Sequence, residues 1–304
     1  MRMQVRAFIV VAGILGTLAS VVGSQETAVP PPQTDGEKGA LLDRVLTNQK
    51  KSDAAMNLYE RIERVETHKN ASDPSAESKT SRVVPAGTGV DHIPIGPDGH
   101  PTDADAYHAE LLKLEKALSW AADDGHAQRD AYDKVARKQK ERDELIDATR
   151  TAFLYTLVGT ETRAGKTLYK YRMEPNPAYK PTSRSTAIFA KVRGFVWIDP
   201  SAGELARIEG EVMGDINVGL FLAKIYKGSH FMQERYEMAP GLWMPSFSQY
   251  DFDGRKFFSA ISIHERTFYS RYRRIGPPKE ALASIRAELG RADSGKSAVP
   301  ISDP

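Results

Sequence analysis

The chain has 304 residues, of which 40% are hydrophobic and 27% are charged, and it contains no cysteine. That composition is typical of a globular protein, and the lack of cysteine excludes disulfide scaffolds, cysteine–metal sites and thiol catalysis. The 42 Lys and Arg side chains nearly balance the 40 Asp and Glu side chains, so nucleic acid is not an expected partner.

The first 24 residues are typical of a signal peptide. Residues 1–6 are basic, residues 7–23 are uncharged, and Val22 and Ser24 fit the −3 and −1 positions of a signal-peptidase site before Gln25. The uncharged run is shorter than the roughly 20 residues that a membrane-spanning helix needs. We therefore predict a periplasmic or secreted protein after cleavage near Ser24/Gln25.

The rest of the chain is predicted to form one domain over residues 37–277, preceded by a Pro-rich linker at residues 25–36. Residues 37–51 have the apolar spacing of a short helix, whereas the pattern of residues 57–70 is compatible with a helix or an edge strand. The many Pro and Gly residues between positions 71 and 103 leave room only for short strands and turns.

A helical insertion is predicted at about residues 102–149. Thr102 or Asp103 can cap its start, and the apolar stripe that follows consists of Tyr107, Leu111, Leu114 and Leu118. From Gln128 to Glu144, charges of both signs alternate at helical spacing. This segment is predicted to be a solvated helix through which an envelope protein could bind.

From Thr151 to Ile275, short runs of aromatic and β-branched residues follow one another without helical segments between them. The pattern predicts an antiparallel meander of about eight strands. Turns are expected at residues 199–203 and at Asp253-Gly254. The predicted class is α+β, with a curved sheet and helices packed across its concave side, followed by a short helix and a flexible tail at residues 278–304.

The sequence predicts no catalytic residue, no metal site and no cofactor. None of the seven histidines forms a helical zinc motif, and a solvated loop explains the spacing of His92, His100 and His108. A nucleophile elbow is absent, and Asp251 and Asp253 lie beside a glycine, which favours a turn. Without a nucleophile beside a visible base, an exported hydrolase is the weakest hypothesis.

One segment breaks the alternation expected of a strand with one solvated face. Residues 218–226, VGLFLAKIY, are apolar on both faces, so they are either buried by protein or line an apolar ligand cavity. The predicted cavity lining consists of Leu220, Phe221, Leu222 and Trp243.

A second segment combines cations with aromatic residues. In HERTFYSRYRR, residues 264–274, Arg271 and Arg273 could bind anionic lipid headgroups. A final strand with an exposed polar face explains the same pattern.

Four segments between Phe153 and Arg274 resemble an exported bacterial family related to the outer membrane lipoprotein-sorting (LolA-like) proteins. They are FLYTLVGTETRAGKTLYKYRMEPNPAYKP, AKVRGFVWIDPSAGELARIEGEV, KGSHFMQERYEMAPGLWMPSF and FYSRYRR. The turn and helix at residues 98–118 also resemble that family. The resemblance implies an open half-barrel with helices across its mouth and an apolar hollow that binds acyl chains or lipidated partners. It brings no catalytic residues, and the charged insertion at residues 119–144 is longer than a simple carrier needs.

The first functional hypothesis is therefore a non-enzymatic periplasmic protein that binds a lipid or a lipoprotein in an apolar hollow. The second is a periplasmic protein-interaction or scaffolding module with a self-filled core, which a hollow plugged by Leu111, Leu114 and Leu118 would favour. A convergent Ser/His/Asp set would favour the hydrolase.

Overall fold

The structure, a computed structural model, describes residues 34–218, 223–257 and 259–293. The predicted signal peptide, most of the predicted linker, the predicted lining residues Leu220, Phe221 and Leu222, and the tail beyond residue 293 lie outside the described residues. The chain divides into two compact units. The first unit comprises residues 34–50, Thr67–Glu77 and Glu144–Arg266. The second unit comprises Lys51–Glu66, Ser78–Asp143 and residues 267–293.

The described residues form four α-helices and twelve strands. The helices are α1 (Asp35–Ala55), α2 (Ala104–Ala122), α3 (His126–Ala152) and α4 (Pro278–Asp293). The strands are β1 (Tyr59–His68), β2 (Glu77–Pro85), β3 (Val90–Ile95), β4 (Phe153–Arg163), β5 (Lys166–Pro175), β6 (Val192–Asp199), β7 (Glu204–Val212), β8 (Ile216–Val218), β9 (Ala223–Ile225), β10 (His230–Ala239), β11 (Leu242–Lys256) and β12 (Ser259–Arg274).

The strands form an antiparallel sheet in the order β3-β2-β1-β12-β11-β10-β7-β6-β5-β4, with β9 paired to β11 and β8 paired to β9. Strands β3 and β4 are the two end strands among the described residues, so the sheet is open. The predicted α+β class, an open antiparallel sheet with packed helices, is confirmed. The segment of uncertain pattern is strand β1, and the Arg-rich segment belongs to strand β12.

The first unit buries one face of its strands against α1 and the end of α3. Val192, Val196 and Ile198 alternate along β6 toward this core, as a strand with one buried face requires. Leu41 and Leu42 of α1 pack into the same cluster, as do Leu145, Ala148 and Ala152 of α3 and Phe189 of a 3-10 helix at Thr186–Lys191. The first unit therefore fills the inner face of its strands with its own side chains.

The second unit has its own core, which contains the predicted leucine stripe. Leu111, Leu114 and Leu118 of α2 are buried, and they pack with residues of β2, β3 and α4 that include Val84, Ile93, Ile285 and Leu289. The predicted cap is also present, because the Asp103 carboxylate accepts a hydrogen bond from the Ala106 N–H at 3.0 Å. The stripe thus holds α2 and α4 together with two strands of the second unit.

One of the two predicted turns is confirmed. The Asp199 carboxylate accepts hydrogen bonds from the backbone N–H of Ser201 at 2.9 Å and of Ala202 at 3.1 Å. Gly203 ends the turn with φ of 68°, which glycine adopts without strain.

The predicted turn at Asp253-Gly254 is wrong, because both residues lie inside β11. A Cβ atom at position 254 would lie 2.1 Å from the carbonyl oxygen of Lys224 on β9, so glycine here permits the close approach of the neighbouring strand. The chain turns instead at Phe257, whose φ is 54°.

Within the part of the chain that the structure describes, no helix combines the length and the apolar character required to cross a bilayer.

Candidate functional site

Of the four predicted lining residues, the described part of the chain includes only Trp243. Strand β9 pairs with the end of β11, where Ala223 lies opposite Lys256 and Ile225 opposite Gly254. Trp243 lies near the start of β11, opposite Glu237 of β10. Trp243 and Gly254 are eleven positions apart on β11, and an extended strand of that length spans about 35 Å. Trp243 and strand β9 therefore lie at different ends of β11.

Trp243 is buried by protein side chains. It packs with Leu168, Trp197 and Ala206, and the Lys166 ammonium lies 4.7 Å from the centre of its ring. Trp197 alternates along β6 with residues of the first-unit core, so this cluster lies on the opposite face of the strands. Its role is to pack that face.

The two predicted headgroup arginines are engaged by groups of the second unit. Arg273 Nε donates a hydrogen bond to the buried Glu60 carboxylate. Arg271 Nη1 lies 3.4 Å from the carbonyl oxygen of Asp98, and Arg271 itself has φ of 52°. A headgroup would have to compete with these contacts.

Two exposed aromatic side chains lie at opposite ends of the pairing between β9 and β11. Phe257 follows Lys256, whereas the Tyr226 N–H donates to the carbonyl oxygen of Asp253 at 2.8 Å, four strand positions or about 13 Å away. Phe257 is 54% exposed at the turn between β11 and β12, and Tyr226, just after β9, is 38% exposed. We call these two side chains the apolar rim. Ala223 lies opposite Lys256, so the start of β9 is beside the turn that carries Phe257.

Basic residues flank the apolar rim. Arg255 and Lys256 directly precede Phe257, and the Lys224 ammonium lies 5.7 Å from the centre of the Tyr226 ring. Lys224 also forms an ion pair with Asp215 at 2.7 Å. The hydrogen bond from Lys224 and that from the Lys227 N–H hold the pKa of the Asp215 carboxyl below its usual value. Aromatic side chains beside cations are the combination found at membrane–water interfaces.

The outer face of the first unit, opposite its core, is covered by paired charges. Arg193 contacts Glu211 at 2.9 Å, and Arg207 contacts Glu234 at 2.8 Å. A groove of about 400 Å³ crosses this face, and its walls include Arg172, Glu174, Arg193, Phe195, Glu211 and His230. Its charged walls consist of two arginines and three glutamates, so both signs of charge face the groove.

The described residues contain no group of three or more His, Asp and Glu side chains that is placed to share a metal ion.

No family model matches the chain. No curated protein sequence matches it. A DUF1329 family protein from Desulfovibrio piger aligns with 79% of this chain and 94% of its own, at 11% identity and a TM-score of 0.30. An outer membrane lipoprotein-sorting protein domain from Vibrio parahaemolyticus aligns with 77% of this chain and 93% of its own, at 8% identity and a TM-score of 0.28.

A LolA superfamily protein from Nitrosomonas europaea aligns with 77% of this chain and 96% of its own, at 10% identity and a TM-score of 0.27. At these TM-scores the alignments carry no argument about function. Two of the three descriptions name lipoprotein sorting or the LolA superfamily, which is the family that the sequence resembles.

Proposed function

We propose that the protein is exported to the cell envelope, with cleavage near Ser24, and binds a lipid or the acyl chain of a lipidated protein there. The observation that carries this proposal is the exposure of Phe257 at a turn, beside the start of β9, which the apolar sequence GLFL precedes in the chain. Exposed large apolar side chains suit a ligand with an apolar part.

The exposed ring of Phe257 costs free energy in two ways. It is hydrated instead of buried, and its backbone has φ of 54°, a conformation that favours glycine. An apolar ligand that covers the ring removes the free-energy cost of its exposure to water. Each CH₂ group buried in this way contributes about 0.8 kcal/mol. The acyl chain is therefore proposed to lie along the apolar rim and residues Leu220, Phe221 and Leu222.

The basic residues beside the rim suit the polar end of the same ligand. Arg255 and Lys256 can extend their charged groups toward water while their alkyl parts follow the apolar surface. An anionic headgroup or phosphate would be attracted to these cations. We propose them for the headgroup in addition to the predicted Arg271 and Arg273, which already have protein partners.

The packing of the first-unit core limits where the acyl chain can lie. The inner face of its strands is covered by Leu41 and Leu42 of α1, Phe189 and the end of α3. This observation favours the rim over a deep hollow. It also supports the second candidate function, a protein-interaction module with a self-filled core.

A titration with a fluorescent fatty acid separates the two functions. Phe257→Ser should weaken binding roughly 10- to 100-fold, because a buried Phe side chain contributes about 1.5–3 kcal/mol. Leu154→Ser is the matched control, since Leu154 is 51% exposed on β4 in the same unit. If the wild-type protein binds no fatty acid, the lipid-binding function is wrong and the interaction module stands. If both variants lose affinity equally, the rim is not the binding site.

A further inference from the structure

Strands β11 and β12 place a serine, a histidine and an aspartate together on the outer face of the first unit. The Ser262 hydroxyl oxygen lies 2.9 Å from His264 Nε2, and His264 Nδ1 lies 3.0 Å from Asp251 Oδ1. Ser262 and His264 are two positions apart on β12, so their side chains share a face. The three groups have the connectivity of a Ser–His–Asp catalytic triad.

The histidine and the aspartate are held rigidly. Both are buried, and the second oxygen of Asp251 accepts a hydrogen bond from Gln249 Nε2 at 2.7 Å. A carboxylate can only accept, so the Nδ1 atom that faces Asp251 carries a proton. Nε2 faces the Ser262 hydroxyl at a distance within the reach of a general base.

The serine is reachable from solvent, because Ser262 is exposed. Asp253 is a competing acceptor, since its carboxylate also receives the Ser262 hydroxyl and lies 3.7 Å from His264 Nε2. Arg255 lies two positions beyond Asp253 on the same face of β11, so its exposed guanidinium can reach the space in front of Ser262. A cation there would stabilise a developing oxyanion.

A groove approaches the three residues on the same face. His230, at the end of the groove, lies directly opposite Asp251 in the register of β10 and β11. Neighbouring strands are about 4.8 Å apart, so the groove ends one strand away from the Asp251 side chain. Its volume of about 400 Å³ is in the range of sites for small molecules.

We propose that the protein hydrolyses carboxylic esters, with Ser262 as nucleophile, His264 as general base and Asp251 as the residue that positions His264. The Ser262 oxygen bonds to the ester carbonyl carbon as its proton moves to His264 Nε2. The ester C–O bond then breaks, and the leaving alcohol takes that proton. A water molecule attacks the acyl-serine, its proton passing through His264, which releases the acid and restores Ser262. This proposal does not depend on lipid binding at the apolar rim.

A fluorophosphonate probe, which forms a covalent bond with activated serines, tests the proposal. Wild-type protein should be labelled at Ser262, as identified by mass spectrometry of its peptides. Ser262→Ala should abolish labelling, whereas Ser259→Ala, at another exposed serine of β12, should leave it unchanged. His264→Gln should slow labelling by about 100-fold or more. The hydrolysis of p-nitrophenyl acetate should follow the same order.

Two further variants assign the roles of the aspartates. Asp253→Asn replaces the charged competing acceptor by a weaker, neutral one and should label at least as fast as wild type. Asp251→Asn should slow labelling and also change the ¹⁵N chemical shifts of the His264 ring, because the proton is no longer held at Nδ1. Absence of wild-type labelling, labelling that survives Ser262→Ala, or loss of labelling in Asp253→Asn but not in His264→Gln would overturn the proposal.

Discussion

Arg82 and Glu60 form an ion pair inside the second unit, with side chains that are 3% and 0% exposed and an Nη2–Oε2 distance of 2.8 Å. Arg82 Nη1 also donates to Glu288 at 2.9 Å and to the Tyr107 hydroxyl at 2.6 Å. Burial alone would lower the pKa of the Arg82 guanidinium, but Glu60 and its other acidic neighbours raise it above its usual value. The network joins β1 and β2 to α2 and α4.

Arg82→Met should destabilise the protein by about 3–5 kcal/mol, because the buried Glu60 carboxylate keeps only Arg273 and the half-buried Glu288 carboxylate loses Arg82. The control is Arg286→Ala, which removes an exposed partner of Glu115 and should change the free energy of unfolding by about 0–1 kcal/mol. Urea denaturation measures both variants. Equal effects of the two substitutions would contradict a buried network.

Leu114→Ala should cost about 2–5 kcal/mol, as the truncation of a buried leucine leaves a cavity. Leu114 is fully buried in the second-unit core, whereas Leu112 on the same helix is exposed. Leu112→Ala should therefore stay within about 0.5 kcal/mol of wild type. A Leu114→Ala variant that melts at the wild-type temperature would show that α2 is not part of this core.

Alkaline pH should weaken the second unit through Tyr107. Burial first, and then the Glu288 charge, raise the pKa of the Tyr107 hydroxyl to about 12, although Arg82 lowers it. A raised pKa in the folded state means that the stabilisation is complete below pH 10 and is lost as the pH rises from about 10 to about 12. The free energy of unfolding should fall less steeply over this interval in Tyr107→Phe than in wild type. Equal slopes would rule out Tyr107 as the source.

Phe257→Gly should raise stability and lower lipid affinity at once. Glycine relieves the strain of φ of 54°, a gain of about 1 kcal/mol, but removes the exposed ring. Ala164→Gly, in the turn between β4 and β5 with φ of 45°, should give a similar gain in stability without any loss of lipid affinity. Thermal melting and a fatty-acid titration on both variants check this. Loss of affinity in both would mean that the effect is not specific to the rim.

The sequence predicts correctly those features that depend on residues close together in the chain, such as helix caps, apolar stripes and turns. The cap at Asp103, the stripe of Leu111 and Leu114 and the turn at Asp199 each follow from residue spacing and are present in the structure. The Asp253-Gly254 pattern led to a wrong turn prediction because glycine occurs in strands as well as in turns. A glycine that permits a turn and a glycine that permits the close approach of another strand look the same in a sequence.

The outer-face cluster could not be predicted, because it depends on strand register. Ser262 and His264 form a short Ser-x-His pattern, but the partner Asp251 lies on the preceding strand, and the length of the turn at Phe257 decides which residues meet. The distance between Trp243 and β9 has the same origin. It follows from the pairing of β9 with the end of β11, which the residue pattern does not reveal.

Native mass spectrometry of the protein purified from its own envelope fraction tests the proposed function most directly. We predict a species heavier than the mature chain by the mass of a lipid or a fatty acid, which organic extraction releases. The species should be present in Leu154→Ser and reduced in Phe257→Ser. A wild-type sample that carries only the mass of the polypeptide would contradict the proposal that this protein binds acyl chains.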